Sequence, residues 1–92
     1  MANQLKMYSI QDQKAQLFHP PYFTQTYGEA ERIFTTIVND PNNQISQYPE
    51  DFNLYHLGTY NDETGKMSSL DTPEHCLKAV QVKKSAQPPI PI

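Results

Sequence analysis

The sequence predicts a small α+β domain: an antiparallel sheet of about four to five strands with one helix packed across a face. Three observations predict it. A helix start signal precedes an apolar stripe of helical period, a strand-like alternation runs into a turn-rich link, and proline and asparagine punctuate the segments between. With 92 residues, there is room for one domain and no second fold, since domains cluster at roughly 100–150 residues.

Leu5 to Ile10 is rich in strand formers, and Gln16 to His19 is expected to run back beside it. Pro20-Pro21 is expected to stop that pairing, because proline carries no backbone donor. Thr26-Tyr27-Gly28-Glu29 fits the capping box, with the Thr oxygen on the third amide and Glu29 reaching back to the cap amide. Ala30, Ile33, Phe34 and Ile37 then follow at i, i+3, i+4 and i+7, which places them on one buried face. Asp40-Pro41 ends the helix, because the residue before a proline avoids the α region. Phe52 to Tyr60 alternates Phe52, Leu54 and His56 against Tyr55, Leu57 and Thr59. Asn61 to Gly65 links it to Lys66–Leu70 as a hairpin, with Gly65 placed to take a positive φ. Leu77 to Lys83 is read as a half-buried strand, with Val80 and Val82 on one side and Gln81 and Lys83 on the other. The predicted core joins Ile33, Phe34, Ile37, Leu54 or Leu57, and Val80 or Val82. The domain is expected to span residues 1–84, and 85–92, with three prolines, to form an extended tail.

A single cysteine, Cys76, excludes an internal disulfide and fits a reducing compartment. The longest apolar stretches are far short of a membrane span or a signal-peptide core, so no membrane association is expected. A net charge of −3 argues against coating nucleic acid through bulk positive charge. His19, His56, His75 and Cys76 form no pair with metal-ligand spacing, so no metal or other cofactor is expected. No nucleophile–base pair and no phosphate-cradling glycine loop is legible, so no catalytic residue and no enzymatic activity are expected. Positive charge gathers at Lys78, Lys83 and Lys84, and six tyrosines, including Tyr55 and Tyr60, offer either stacking platforms for unpaired bases or packing volume in a chain without Trp.

Four stretches together carry a resemblance: Lys6-Met-Tyr-Ser-Ile-Gln-Asp-Gln-Lys-Ala15 running on into Pro20-Pro21-Tyr22-Phe23, then Gly28-Glu-Ala-Glu-Arg-Ile-Phe34, Asn39-Asp40-Pro41, and Tyr48-Pro-Glu-Asp-Phe-Asn-Leu-Tyr-His-Leu-Gly58. In order and spacing they resemble the small nonstructural protein of gokushoviruses, single-stranded DNA phages of the Microviridae. In that family the position of Gln11 is often aromatic, so a stacking role there does not transfer, and the proline-rich tail lies outside the shared pattern. The resemblance implies a non-enzymatic phage protein of the host cytoplasm, described as DNA-binding and acting in genome replication, the switch to single-strand synthesis, or packaging. It supplies no binding residues position by position. Set beside the residues, it makes single-stranded DNA the expected partner, with Lys78, Lys83, Lys84, Tyr55 and Tyr60 as contacts and a homodimer or higher homo-oligomer doubling the patch. The alternative is a protein-interaction or assembly factor acting on capsid or host proteins through the sheet face or the tail.

Overall fold

The computed structural model describes residues 4–84, so the tail expected over 85–92 lies outside the described residues. The strand β1 (Gln4–Asp12) is central, and β4 (Phe52–Asn61) pairs antiparallel along its whole length, from Gln4 opposite Asn61 to Asp12 opposite Phe52. On the other side of β1 lie β2 (Leu17–Phe18) and β3 (Tyr22–Thr24), and β5 (Met67–Lys78) pairs the outer side of β4. The result is the predicted α+β fold: a five-stranded antiparallel sheet with helices on one face.

Asp12 closes the first turn by accepting from the Ala15 N–H at 2.9 Å, and Gln16 takes the left-handed conformation at φ 60°. Contrary to expectation, the double proline interrupts pairing without stopping it. Gln11 faces Phe18 and Tyr8 faces Tyr22, so His19, Pro20 and Pro21 stand opposite only Ser9 and Ile10 as a bulge. An edge strand tolerates prolines there. The Ser9 hydroxyl donates to the His19 carbonyl at 2.6 Å, and the His19 N–H donates to the Ile10 carbonyl at 2.8 Å.

The helix α1 (Tyr27–Val38) starts where the sequence predicts, with the Thr26 hydroxyl oxygen accepting from the Glu29 N–H at 3.2 Å. The Glu29 carboxylate meets the Thr26 hydroxyl at 3.4 Å, and no bond to the cap amide is made. Its buried row is Ala30, Phe34 and Val38, spaced i, i+4, i+8. Ile37 packs at the flank and Ile33 is 40% exposed, which corrects the placement of Ile33 in the core. Ile33 precedes Phe34 by one position, about 100° round the helix from the buried row. Three further short helical segments join this layer, where the sequence predicted a single helix. The turn α2 (Gln44–Gln47) is capped by Asn43 and buries Ile45; a 3-10 turn, Pro49–Asp51, then leads into β4.

The largest departure is at the C-terminal end. The strand after Gly65 runs on from Met67 to Lys78, and the strand expected over Leu77–Lys83 does not form; Ala79–Val82 is instead the helical turn α3. Gln81 bends back to accept from the Lys78 N–H at 2.8 Å. Asn39, at the end of α1, then clamps the turn by donating to the Thr35 and Val82 carbonyls at 2.8 and 3.0 Å and accepting from the Lys84 N–H at 2.7 Å. Ala79 and Val82, i and i+3, pack on the core, whereas Val80 is 47% exposed.

Candidate nucleic-acid interface

Cross-strand partners share a face of the sheet, so the register sorts the side chains. Tyr8, Ile10, Phe52 and Leu54 point to the helices and form the core with Phe34, Val38 and Ile45. The other face carries no helix. A bulge at Leu57 governs what stands on it: Met7 pairs with Gly58 and Tyr8 with His56, leaving Leu57 without a partner on β1. In a regular strand Tyr55 and Tyr60, five positions apart, would point to opposite faces. The extra residue reverses the alternation and puts both on the helix-free face, opposite Ser9 and Leu5 respectively. Space dictates the neighbouring glycine, because a Cβ at Gly58 would collide with the Ser68 carbonyl oxygen and lie 2.9 Å from Ser69 Cα.

Aromatic rings form two groups on this face. Tyr55 meets His75 of β5 edge-on at 5.3 Å and, reaching across β1, meets Phe18 of β2 at 5.3 Å. The small Ser9 beneath allows that reach and is itself fully buried. Tyr60 and Phe23 form the second group at 5.4 Å, spanning β1 near Met7 in the same way. Phe18 and Phe23 remain 42% and 37% exposed, far more than a packed aromatic.

Beside the first group, at the end of the face away from Tyr60, lies a run of amides. His75 Nε2 donates to Asn53 Oδ1 at 3.0 Å, and Asn53 Nδ2 donates to Gln11 Oε1 and Gln13 Oε1, both at 3.4 Å. Lys78, opposite Asn53, brings a cation to this face. None of the ten acidic residues occupies a paired position there. Asp12 and Glu74 stand on the helix side of their strands, Asp71 lies in the segment of β5 that bulges opposite Leu57, and the rest are in helices and loops.

The site residues expected from sequence are therefore only partly brought together. Tyr55, Tyr60 and Lys78 share the helix-free face. Lys83 does not join them: its ammonium donates to Ser46 Oγ at 2.7 Å beside α2. Lys84 is held by its backbone at the α1–α3 junction, also on the helix side. Of the other four tyrosines, Tyr48 is 47% exposed ahead of the 3-10 turn. Tyr8, Tyr22 and Tyr27 are packing volume, with the Tyr8 ring centroid 6.2 Å from each of the other two, and burial pushes all three phenols above their ordinary pKa, Tyr22 furthest. Sequence reasoning missed Phe18, Phe23, His75 and the Gln11–Asn53 amides as members of one surface. The only local signal was the parity of Asn53 and Tyr55 against Phe52 and Leu54.

Other clusters offer less. An open cleft of about 560 Å³ beside β1 sets Asp12, Glu50 and Asp51 against Lys14 alone, a lining that repels phosphate. Burial, followed by nearby Glu74, pushes the Cys76 thiol up, away from the reactive thiolate. Among the described residues no group of His, Cys, Asp and Glu could hold a metal ion, and no helix is long and apolar enough to cross a membrane.

Fold and surface together define a small α+β protein that leaves one sheet face uncovered and lined with rings and amides. The chain belongs to the phage ORF5 protein family, whose model matches residues 5–82, and it is therefore a phage protein. No curated protein and no solved structure matches it.

Proposed function

We propose that this phage protein binds single-stranded DNA on the helix-free face of its sheet and acts by binding alone, in genome replication, the switch to single-strand synthesis, or packaging. The observation that carries the reading is the aromatic series Phe18–Tyr55–His75 with Phe23–Tyr60, its two phenylalanines and His75 exposed and its two tyrosines half-buried, on a face whose paired positions hold a lysine and no carboxylate. Rings on an open sheet accept unpaired bases by stacking, worth about 1–3 kcal/mol per base and tolerant of sequence. An overall acidic chain is no obstacle when its carboxylates are segregated from the contact surface.

Of the three lysines first considered, only Lys78 is placed to meet phosphate beside the rings. The slope of log K against log salt is then shallow, about −0.7 for each subunit. Fluorescence anisotropy with a labelled single strand tests the proposal. Phe18→Ala and Tyr55→Ala should each weaken binding at least about fivefold, Lys78→Gln should flatten the salt slope, and Lys83→Gln should change neither. Absence of binding at low salt, or undiminished binding by both ring variants, overturns the assignment.

A second reading rests on β5, whose outer edge is unpaired among the described residues and whose residues Met67 to His75 are exposed. Such an edge accepts another strand through its backbone. A second copy of this chain added there would extend the aromatic face across a dimer, and a capsid or host protein could use the same edge. Light scattering at high micromolar concentration measures the first. Binding of a protein partner that hardly responds to salt would favour the second.

A further inference from the structure

The amides beside Phe18 have a direction. Asn53 is 6% exposed, and its Oδ1 is occupied by the His75 Nε2 donor at 3.0 Å. Both forms of His75 able to make this bond, the imidazolium and the neutral ring protonated on Nε2, donate there. Asn53 must therefore turn its NH₂ toward β1, and only the oxygen of a glutamine can meet an NH₂. Gln11 Oε1 and Gln13 Oε1 both do so at 3.4 Å. With their oxygens turned inward, the two glutamines present their own NH₂ groups outward. Gln13 is exposed and Gln11 half-buried, at the end of β1 where Gln11 faces Phe18.

We infer that this relay makes the open face selective for bases whose exposed edge carries carbonyl oxygens, thymine and guanine, over adenine. The inference rests on the single-stranded DNA reading and adds base choice to it. A base stacked on Phe18 turns its edge toward Gln11 and Gln13. Thymine offers O4 and O2 as acceptors, and guanine O6 and N7. Adenine can accept from one glutamine NH₂ at N7, but it sets its exocyclic amine against the other, donor against donor, leaving a polar group without a partner. The bonds from Asn53 are long, so the glutamines can adjust to a base while their polarity is kept.

The test compares the affinities of oligo(dT) and oligo(dA) of equal length at one salt concentration, for the wild type and for Gln11→Met/Gln13→Met. Adenine runs stack on themselves and bias any such comparison, so the decisive quantity is the change in the ratio between proteins. The wild type should prefer oligo(dT) by about tenfold, as one well-placed pair of base-edge hydrogen bonds provides. The double variant should lose most of that preference, chiefly through weaker binding of oligo(dT), whose carbonyl oxygens forfeit their donors. If circular dichroism shows the double variant misfolded, Gln13→Met alone, at an exposed position, should lower the ratio in part. A ratio unchanged by the substitutions, or a wild-type preference for oligo(dA), overturns the base selectivity and leaves single-strand binding standing. Absence of binding to both oligonucleotides overturns the two together.

Discussion

The two faces of this sheet use the same kinds of residue to opposite ends. On the helix side Tyr8, Tyr22 and Tyr27 converge on one another, and the Tyr22 hydroxyl donates to the Ala30 carbonyl at 3.0 Å. Their phenols are withdrawn from water, and burial raises their pKa. On the helix-free side Tyr55 and Tyr60 make ring contacts of similar closeness with Phe18 and Phe23, yet both phenylalanines keep over a third of their surface in solvent. Composition does not separate the two sets; the helical layer does. An aromatic that packs in a domain this small is structural where α1 covers it and available where nothing does.

Matched truncations on the two faces test that division most severely. Phe34 has no exposed surface and sits at the centre of the helix-side core. Phe34→Ala should cost about 3–5 kcal/mol, enough to leave a domain this small largely unfolded. Phe18→Ala, on the open face, should cost only about 1–2 kcal/mol because 42% of the residue stays in water in the folded state. Urea denaturation followed by circular dichroism reads both. A stable Phe34→Ala variant, or an unfolded Phe18→Ala variant, would show the two faces to be energetically alike.

Local chemistry made much of this fold legible. The Thr26 cap, the Asp40-Pro41 stop and the Asn61–Gly65 hairpin are written in adjacent residues, and Gly65 takes its positive φ of 77° as expected. Long-range partners hid the rest. Val80 and Val82 alternate as a strand would, but the helical turn that holds them depends on Asn39, forty-three positions from Val82. Ile33 fits the apolar stripe, yet the row that is buried runs through Ala30, Phe34 and Val38. The same limit applies to the surface. Tyr55 and Tyr60 are visible as aromatics, yet their common face depends on the Leu57 bulge. Phe18 and Tyr55 meet across an intervening strand that no spacing reveals. Lys83 reads as a free cation until Ser46 is found against it.

That bulge is the second point at which the comparison can be broken. Gly58 lets β5 approach β4 where the alternation reverses, and an added methyl would meet backbone atoms of Ser68 and Ser69, which cannot rotate aside. Gly58→Ala should cost about 2–3 kcal/mol. It should also loosen Tyr60 from the face it shares with Tyr55, while the Phe34 core keeps its packing. Amide exchange should show this as protection lost along Met67–Leu70 before it is lost in α1. Equal loss in both regions would mean that the bulge supports the whole fold and not the open face alone.

The smallest expected effect lies in the alkaline stability of the covered face. Burial, reinforced by Tyr8, raises the Tyr22 pKa above the ordinary phenol value of 10.0. Below about pH 10 both folded and unfolded chains hold that proton, and stability does not depend on it. Above it the unfolded chain gives the proton up while the folded chain retains it. The folded state then binds more protons, so stability falls as pH rises. Tyr22→Phe keeps the ring and removes the titrating group together with its bond to Ala30. The variant should lose about 1 kcal/mol near neutrality and then decline less steeply than the wild type between about pH 9 and pH 11. Tyr8 and Tyr27, raised in the same direction, should keep part of the decline in place. Denaturation midpoints across that range measure the difference. Parallel curves for the two proteins would mean that Tyr22 is hydrated in the folded state and that the covered face is wetter than its packing indicates.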